Sequence, residues 1–480
     1  YFQTCFENRL YPLQVRNVSF LKPPFTVRTE PTWADRCDSA IRIDLAPSGD
    51  GLDWKKLQVE NLRFFVGGLT SCANKLFEAL LHDTLGLGVY SSRLPQGVFL
   101  SSDCVFQTGF GRDQALVHFD ARTLPAYQLM WEFFAIPEKF RFIEIDLKSV
   151  WSSVSGDALS LVVFLKKAHP IIQRQISRDA MQLGCSPIIN LFQQEAEPIN
   201  LTENQVEYHV VPSYRDTSSM EVHSILSVES SRSDGNEPVV FLPFHQPSHR
   251  LPDSDGRFWQ MSRRRRMDDD IEGDQGTEVF LTVVDLQGRP KPQDEWTLHV
   301  RTLCCNRDLV SRLSVQSRLA HGGGPIGVSF ATPPLPTRRP IDDDDWTWRL
   351  LSHLTLNHLA LEEDSGAELL REILRLYTSD DAEEAWKLID GILSIQYRRI
   401  NARVPTAGKG PGICRGLEIH VEIDEEILDS VGVYLFATVL DQFFSLFVTI
   451  NSFTRLRVRA RGKTQWLYEG RPRAGTKFLI

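Results

Sequence analysis

The chain has 480 residues, 42% of them hydrophobic and 10% aromatic, and 53 basic against 62 acidic side chains leave a net charge of -9. With a mean hydropathy of -0.22, these values exclude a disordered or wholly membrane-embedded chain and lead to an expectation of two to four domains. The acidic excess argues against a general nucleic-acid binder, whose footprint is basic.

The chain opens at Tyr1 rather than Met, and YFQTCFENRL has no basic stretch followed by an apolar core. No signal peptide is expected, and the chain is read as a fragment lacking an N-terminal part. Eight cysteines, Cys5, Cys37, Cys72, Cys104, Cys185, Cys304, Cys305 and Cys414, form no CxxC pair. That spacing suggests neither zinc nor a disulfide framework, and reads as reduced thiols in a cytosolic chain.

From residue 13 to about 163 the pattern has period two. AIRIDLAP puts Ile41, Ile43 and Leu45 on one face, and KFRFIEIDL does the same with Phe140 and Phe142, then Ile143, Ile145 and Leu147 after a register change. SCANKLFEALLHDTLG interrupts these strands with Leu76, Leu80 and Leu81 at helical spacing and Gly86 as the expected stop. Residues 1–157 are taken as a β-rich module, and 158–336 as a second, with VEYHVVP, EVHSILSV, EVFLTVVD and TLHVRTL as strands.

Within that second module, residues 229–276 are rich in Ser, Asp, Gly, Pro and Arg and predict a long exposed loop. It contains RRRRMDDD, read as a solvated charge run, with a basic docking spot as the alternative. ATPPLPTRRP, at 331–340, marks the next boundary. Beyond it, residues 337–480 read as a more helical α+β module, through WRLLSHLTLNHLAL, AELLREILRLY and AEEAWKLIDGILSIQYRRI, the last with Trp386, Ile389, Leu393 and Gln396 at helical spacing.

VGVYLFATVLDQFFSLFVTI, at 431–450, is long enough to span a bilayer, yet Thr438, Asp441, Gln442, Ser445 and Thr449 collect in one helical stripe. An aspartate at mid-bilayer costs about 2.5–3.5 kcal/mol on insertion scales, so a core helix is expected instead. On either side, GLEIHVEID carries an acidic face of Glu418, Glu422 and Asp424, and RLRVRARG a basic face of Arg455, Arg457, Arg459 and Arg461. As neighbouring strands packed on the helix they would pair opposite charges. The alternative for the arginine row is phosphate binding.

Catalytic signatures are weak. HGGG at 321–324 has no GxSxG elbow to accompany it, and GKT at 462–464 lacks the glycine cradle of a P-loop and reads as a turn. His245 and His249 lack further ligands at metal spacing, and IDDDDW reads as a helix entry. Neither a cofactor nor a metal is expected. A β-rich carbohydrate-active hydrolase with dispersed carboxylates remains the alternative, and a membrane-anchored assembly factor using residues 431–450 a second one.

SPIINLFQQEAEPINL with VEYHVVPSYRD resembles the signature of the TssF (VasA, ImpG) family of the bacterial type VI secretion system. The remaining blocks agree in order, LRFFVGG ahead of that signature and, after it, FLPFHQ, FWQMSR, LCCNRDLVSRL, WRLLSHLTLNHLAL, RGLEIHVEIDE, LFATVLDQFFSLFVTINSFTRL and GRPRAGTKFLI, spread over nearly the whole chain. Two departures stand out: the family has a further region ahead of YFQTCFENRLYPLQV, and Cys304 to Asn306 read CCN where the family reads close to CTN. The resemblance implies a non-enzymatic, cytoplasmic wedge subunit of the baseplate, related to the wedge protein of contractile phages. Two copies would join one TssG, with TssK and TssE, around a VgrG spike, as the platform for the TssB/TssC sheath and Hcp tube. Recruitment to the cytoplasmic face of the inner membrane is implied, with no membrane insertion and no nucleic acid.

A subunit of that kind needs apolar and aromatic anchors at module edges. The candidate partner-interface residues are Phe192, Phe258, Trp259, Trp346, and the polar stripe at Asp441 and Asn451. For each, ordinary core or turn structure is the competing reading.

Overall fold

The computed structural model describes residues 1–480 except 50–56, 58, 93, 118–124, 155–157, 203–204, 216–218, 233–237, 245–256, 267–275, 286–295, 321–326, 340–365, 379–382, 407–408, 425–431, 447, 449–451 and 476–480. Its contacts divide into two compact units: Tyr1–Thr4 with Ile188–Asp342, and Cys5–Pro187 with Asp343–Ile480. The sequence reading had three modules. The first and third of them share one core, because the apolar helix of the third packs on helices of the first.

The unit containing residues 188–342 is built on an eight-stranded sheet. Its order is Phe192–Glu195, Trp296–Cys305, Glu221–Arg232, Val239–Pro243, Arg257–Arg265, Thr277–Asp285 and Glu207–His209, with Ile199–Asn200 also on Trp296–Cys305. All pairs are antiparallel except Val239–Pro243 with Arg257–Arg265. Alternation in WTLHVRTLCC buries Trp296, Leu298, Val300, Thr302 and Cys304 and turns His299 and Arg301 outward. Those residues meet Val228, Phe241, Val279 and Leu281 in the core of this unit.

The long loop expected at 229–276 is corrected here. Its described residues are largely strand, including Val239–Pro243 and Arg257–Arg265. The polar composition hid the strands because their arginines have partners. Arg263 donates to the His223 carbonyl and the Thr277 hydroxyl, both at 2.6 Å. Arg264 forks onto Glu207 at 2.7 and 2.6 Å and lies over the Phe280 ring. The arginines of RRRRMDDD are thus neither a solvated loop nor, at Arg263 and Arg264, unengaged; its aspartates lie outside the described residues.

The second unit holds three sheets. One is antiparallel, ordered Leu13–Leu21, Ser39–Pro47, Leu159–Leu165, Thr84–Ser91 and Leu94–Ser101. Another runs Met181–Leu183, Asn61–Val66, Phe142–Asp146 and Val105–Thr108. The predicted inward residues Ile41, Ile43, Leu45, Ile143, Ile145 and Leu147 are all fully buried. The helix Thr70–Glu78 continues as a π turn over Ala79–Asp83, and a strand starts at Thr84. Gly86 is therefore a strand residue and not the helix stop: a Cβ there would lie 2.7 Å from the Trp33 ring.

The third sheet runs Ile392–Thr406, Lys409–Ile423, Ser452–Ala460 and Trp466–Glu469, with Arg473–Ala474 also on Ser452–Ala460. Here the helical expectation for AEEAWKLIDGILSIQYRRI is half corrected. Glu383–Asp390 is helix, but Ile392–Thr406 is strand. Gly391 separates them, and the β-branched Ile392, Ile395 and Ile400 suit a pleated surface. The described residues of 337–480 thus combine the helices Gly366–Arg375, Glu383–Asp390 and Val433–Ser445 with this sheet.

The helix Val433–Ser445 lies at the centre of this unit's core, with all its residues buried but Tyr434 and Gln442. Phe436 stacks on Phe133 of the helix Pro125–Ala135 at 5.6 Å, and Tyr434 meets Phe77 at 6.3 Å. Each fully buried Leu, Val or Phe contributes about 1.5–3 kcal/mol, so the apolar run is held in the core of this unit. Among the described residues no helix is long and apolar enough to cross a membrane.

Candidate functional site

One clamp, a network of paired polar side chains, stands out in each unit. In the first unit the clamp is Asn306, Arg307 and Asp308, immediately after the strand Trp296–Cys305. Asn306 and Asn190 bond reciprocally: the Asn306 amide donates to Asn190 Oδ1 at 2.6 Å, and Asn190 Nδ2 to Asn306 Oδ1 at 2.9 Å. Arg307, in the left-handed region at φ 46°, donates from Nε to the Met220 carbonyl at 2.9 Å. Its own carbonyl accepts from Thr337. Asp308 receives both terminal nitrogens of Arg339, at 3.2 and 3.1 Å. Three consecutive side chains thus tie down segments near 190, 220 and 339.

Arg339 also forks onto Glu221, at 3.0 Å from Nε and 2.8 Å from Nη2. The Thr277 amide and hydroxyl complete the Glu221 shell at 2.9 and 2.5 Å. Burial alone would raise the Glu221 carboxyl, but the Arg339 and Thr277 hydrogen bonds outweigh it and hold the group below its ordinary range. Glu221 stands in the wall of a cavity of about 190 Å³ that His209, Arg266, Glu278 and Arg307 also line. With Glu221 saturated by its own chain, the wall offers a charge-paired structural joint in place of a general base.

In the second unit the clamp is Asp441, which has no exposed surface. It accepts from the Leu456 amide at 3.2 Å, the Tyr468 hydroxyl at 3.0 Å and Arg473 Nε. A Cβ at Gly470 would fall 2.7 Å from Asp441 Oδ1, so only glycine lets the chain pass there. Burial pushes the Asp441 carboxyl up against the opposing pull of Arg473. Burial disfavours the Arg473 charge too, yet Asp441 raises that group. Both groups are thus raised, the carboxyl because burial outweighs its partners and the guanidinium because Asp441 outweighs burial.

The strands flanking this helix lie parallel, with Glu418 opposite Arg455, His420 opposite Arg457 and Glu422 opposite Arg459. Arg457 reaches Glu418 at 3.3 Å and Glu469 at 2.7 Å, and Arg459 Nε reaches Glu422 at 2.8 Å. Arg457 and Arg459 also flank the Trp466 ring. Carboxylates thus occupy these arginines, as expected for neighbouring strands and unlike a phosphate site.

Of the predicted interface residues, Phe192, Phe258, Trp259 and Asp441 are described. Phe192 is half-buried in an edge strand, its ring 4.9 Å from Tyr1. Phe258 and Trp259 belong to the strand Arg257–Arg265 and not to a polar loop; Phe258 is buried, and Trp259 packs on the core of the first unit. Asp441 is corrected from a surface candidate to an internal one, because a three-donor shell encloses it. Trp346 and Asn451 lie outside the described residues, as do HGGG, His245, His249, IDDDDW and WRLLSHLTLNHLAL. Among the described residues no group of three or more His, Cys, Asp or Glu is arranged to hold a metal.

The family model described as "Type VI secretion system, TssF" matches residues 1–477. The chain belongs to the TssF family. It is 30% identical over 487 residues to the type VI secretion system component TssF1 of Pseudomonas aeruginosa, covering 96% of this chain and 77% of that protein. Its fold matches a chain in the structure of the TssK-TssF-TssG baseplate subcomplex, with a TM-score of 0.77 and 22% identity over 99% of this chain and 84% of the other. This TssF-family fold is β-rich α+β, and none of the three matches supports a carbohydrate-active hydrolase.

In this TssF-family chain, SPIINLFQQ and LCCNRDL are far apart in sequence. The structure joins them through Asn190 and Asn306. It also exposes apolar side chains that the reading passed over, among them Val206, Tyr214, Phe244 and Ile413. For Phe244 a signal was available: it follows VVFLP directly, where a strand ends and a large ring has no inward position.

Proposed function

We propose that this chain is a structural, non-catalytic subunit of a type VI secretion baseplate and binds TssG and TssK. The observation that carries the reading is the family match over nearly the whole chain. The two clamps support it. Saturated charge networks that fix distant segments give rigid surfaces, which suit a subunit holding partners at set angles.

The finer assignments belong to the same proposal: two copies per TssG, contact with TssE and the VgrG spike, indirect coupling to the TssB/TssC sheath and Hcp tube, and recruitment to the cytoplasmic face of the inner membrane. Of the predicted anchors, Phe192 and Trp259 are proposed as interface residues, being half-buried at strands of the first unit. The test is co-expression with the TssG and TssK encoded beside this chain, affinity capture, and mass by light scattering. A complex with more than one copy per TssG is expected. A monomer that ignores both partners would overturn the reading.

A further inference from the structure

The hairpin of Ile392–Thr406 and Lys409–Ile423 outgrows the sheet that carries it. Each of its strands has 15 residues, whereas the neighbouring Ser452–Ala460 has 9 and pairs only between Arg415 and Ile423. Beyond Arg415 the two hairpin strands pair with each other alone, Ala402 opposite Cys414, Arg403 opposite Ile413 and Val404 opposite Gly412. Ile392–Thr406 is also the edge of the sheet, with no strand on its other side among the described residues. The result is a two-stranded arm whose outer edge no strand of the described residues covers.

Such an arm is marginal in water, and soluble proteins usually shorten, charge or cover a long edge. Pro405 blunts this one only near its tip. Ile413 on the arm is 77% exposed, and Arg398, Arg399, Asn401 and Arg415 are exposed with it. The exposed charged side chains described on the arm beyond Ile395 are Arg398, Arg399 and Arg415, all basic, on a chain whose net charge is -9. The unpaired backbone supplies a template for a strand, and the uniform positive charge selects what may lie on it.

We propose that the free edge of the Ile392–Thr406 arm takes up an extended, acidic segment of a partner subunit as an added strand. Backbone hydrogen bonds supply the affinity, and the basic side chains set the choice and orientation of the segment. This rests on the baseplate reading, since it needs a partner chain.

The experiment compares amide hydrogen exchange of the intact chain alone and in the complex with TssG and TssK, whose mass is checked first. Amides of 398–406 should exchange at least about tenfold more slowly in the complex. A photo-crosslinker at Asn401 should label an Asp/Glu-rich segment of one partner. Arg398→Glu with Arg399→Glu should weaken the complex about tenfold, more at low salt. Unchanged arm amides in a complex of correct mass overturn the proposal and leave the baseplate reading standing. So does a crosslink to a second copy of this chain. Failure to form any complex overturns both.

Discussion

Asp441→Ala removes the acceptor on which the second unit's core helix, its sheet and the Arg473 segment converge. Two buried donors, the Leu456 amide and the Tyr468 hydroxyl, lose their partner, at about 1–3 kcal/mol each. Arg473 loses its counter-charge, and removing one member of a buried ion pair costs about 3–5 kcal/mol. These costs do not add, and the guanidinium, 35% exposed, can turn to water. We expect a net loss of about 3–4 kcal/mol, and roughly half of that for Asp441→Asn, which keeps the shape and one acceptor. The assay is guanidinium unfolding, comparing midpoints at unchanged slope for the transition that reports the second unit, since two units need not unfold together. An alanine variant within about 1 kcal/mol of the parent would refute the reasoning, because three satisfied bonds cannot then be holding the core together.

In the first unit, the Glu221 carboxyl sits below its ordinary value of 4.5. Its contribution is therefore complete above 4.5 and is lost as pH falls through the folded value, so Glu221→Gln should flatten the acid side of the stability profile measured by urea midpoints. On the charged ladder, Arg459 and Glu422 are 34% and 26% exposed; a double-mutant cycle should give a coupling of about 0.2–1 kcal/mol that shrinks with salt. Phe258→Ala should cost about 3 kcal/mol in thermal or denaturant unfolding because the ring is buried. Trp259→Ala should cost less in that measurement and more in the capture of TssG; equal capture by the variant and the parent would remove Trp259 from the interface.

Strands with one buried face could be read directly, because alternation in AIRIDLAP or RLRVRARG records which side meets a core. Opposite charges on GLEIHVEID and RLRVRARG even pointed to their pairing. Reading failed where another element decided the outcome. ILSIQYRRI fits both periods, and its strand form depends on the Lys409–Ile423 partner. RFWQMSRRR looked like loop because its arginines are satisfied by Glu207, Thr277 and the His223 carbonyl, all far along the chain. Asp441 looked like a polar stripe and is a joint, since Tyr468 and Arg473 are brought to it only by the fold. Asn190 and Asn306 stand 116 residues apart and share no local pattern.

The second unit is assembled from two separated stretches of chain, and that order has a cost during translation. Phe77 and Phe133 leave the ribosome well before Tyr434 and Phe436, the rings that cover them. At 5–20 residues per second, the interval between Pro187 and Val433 lasts roughly 12–50 s. For that time the nascent polypeptide carries an open apolar face, while the intervening first unit can already close on its own core. Chaperone supply, more than final stability, should then govern yield, and a nascent product halted before the Val433–Ser445 helix should aggregate.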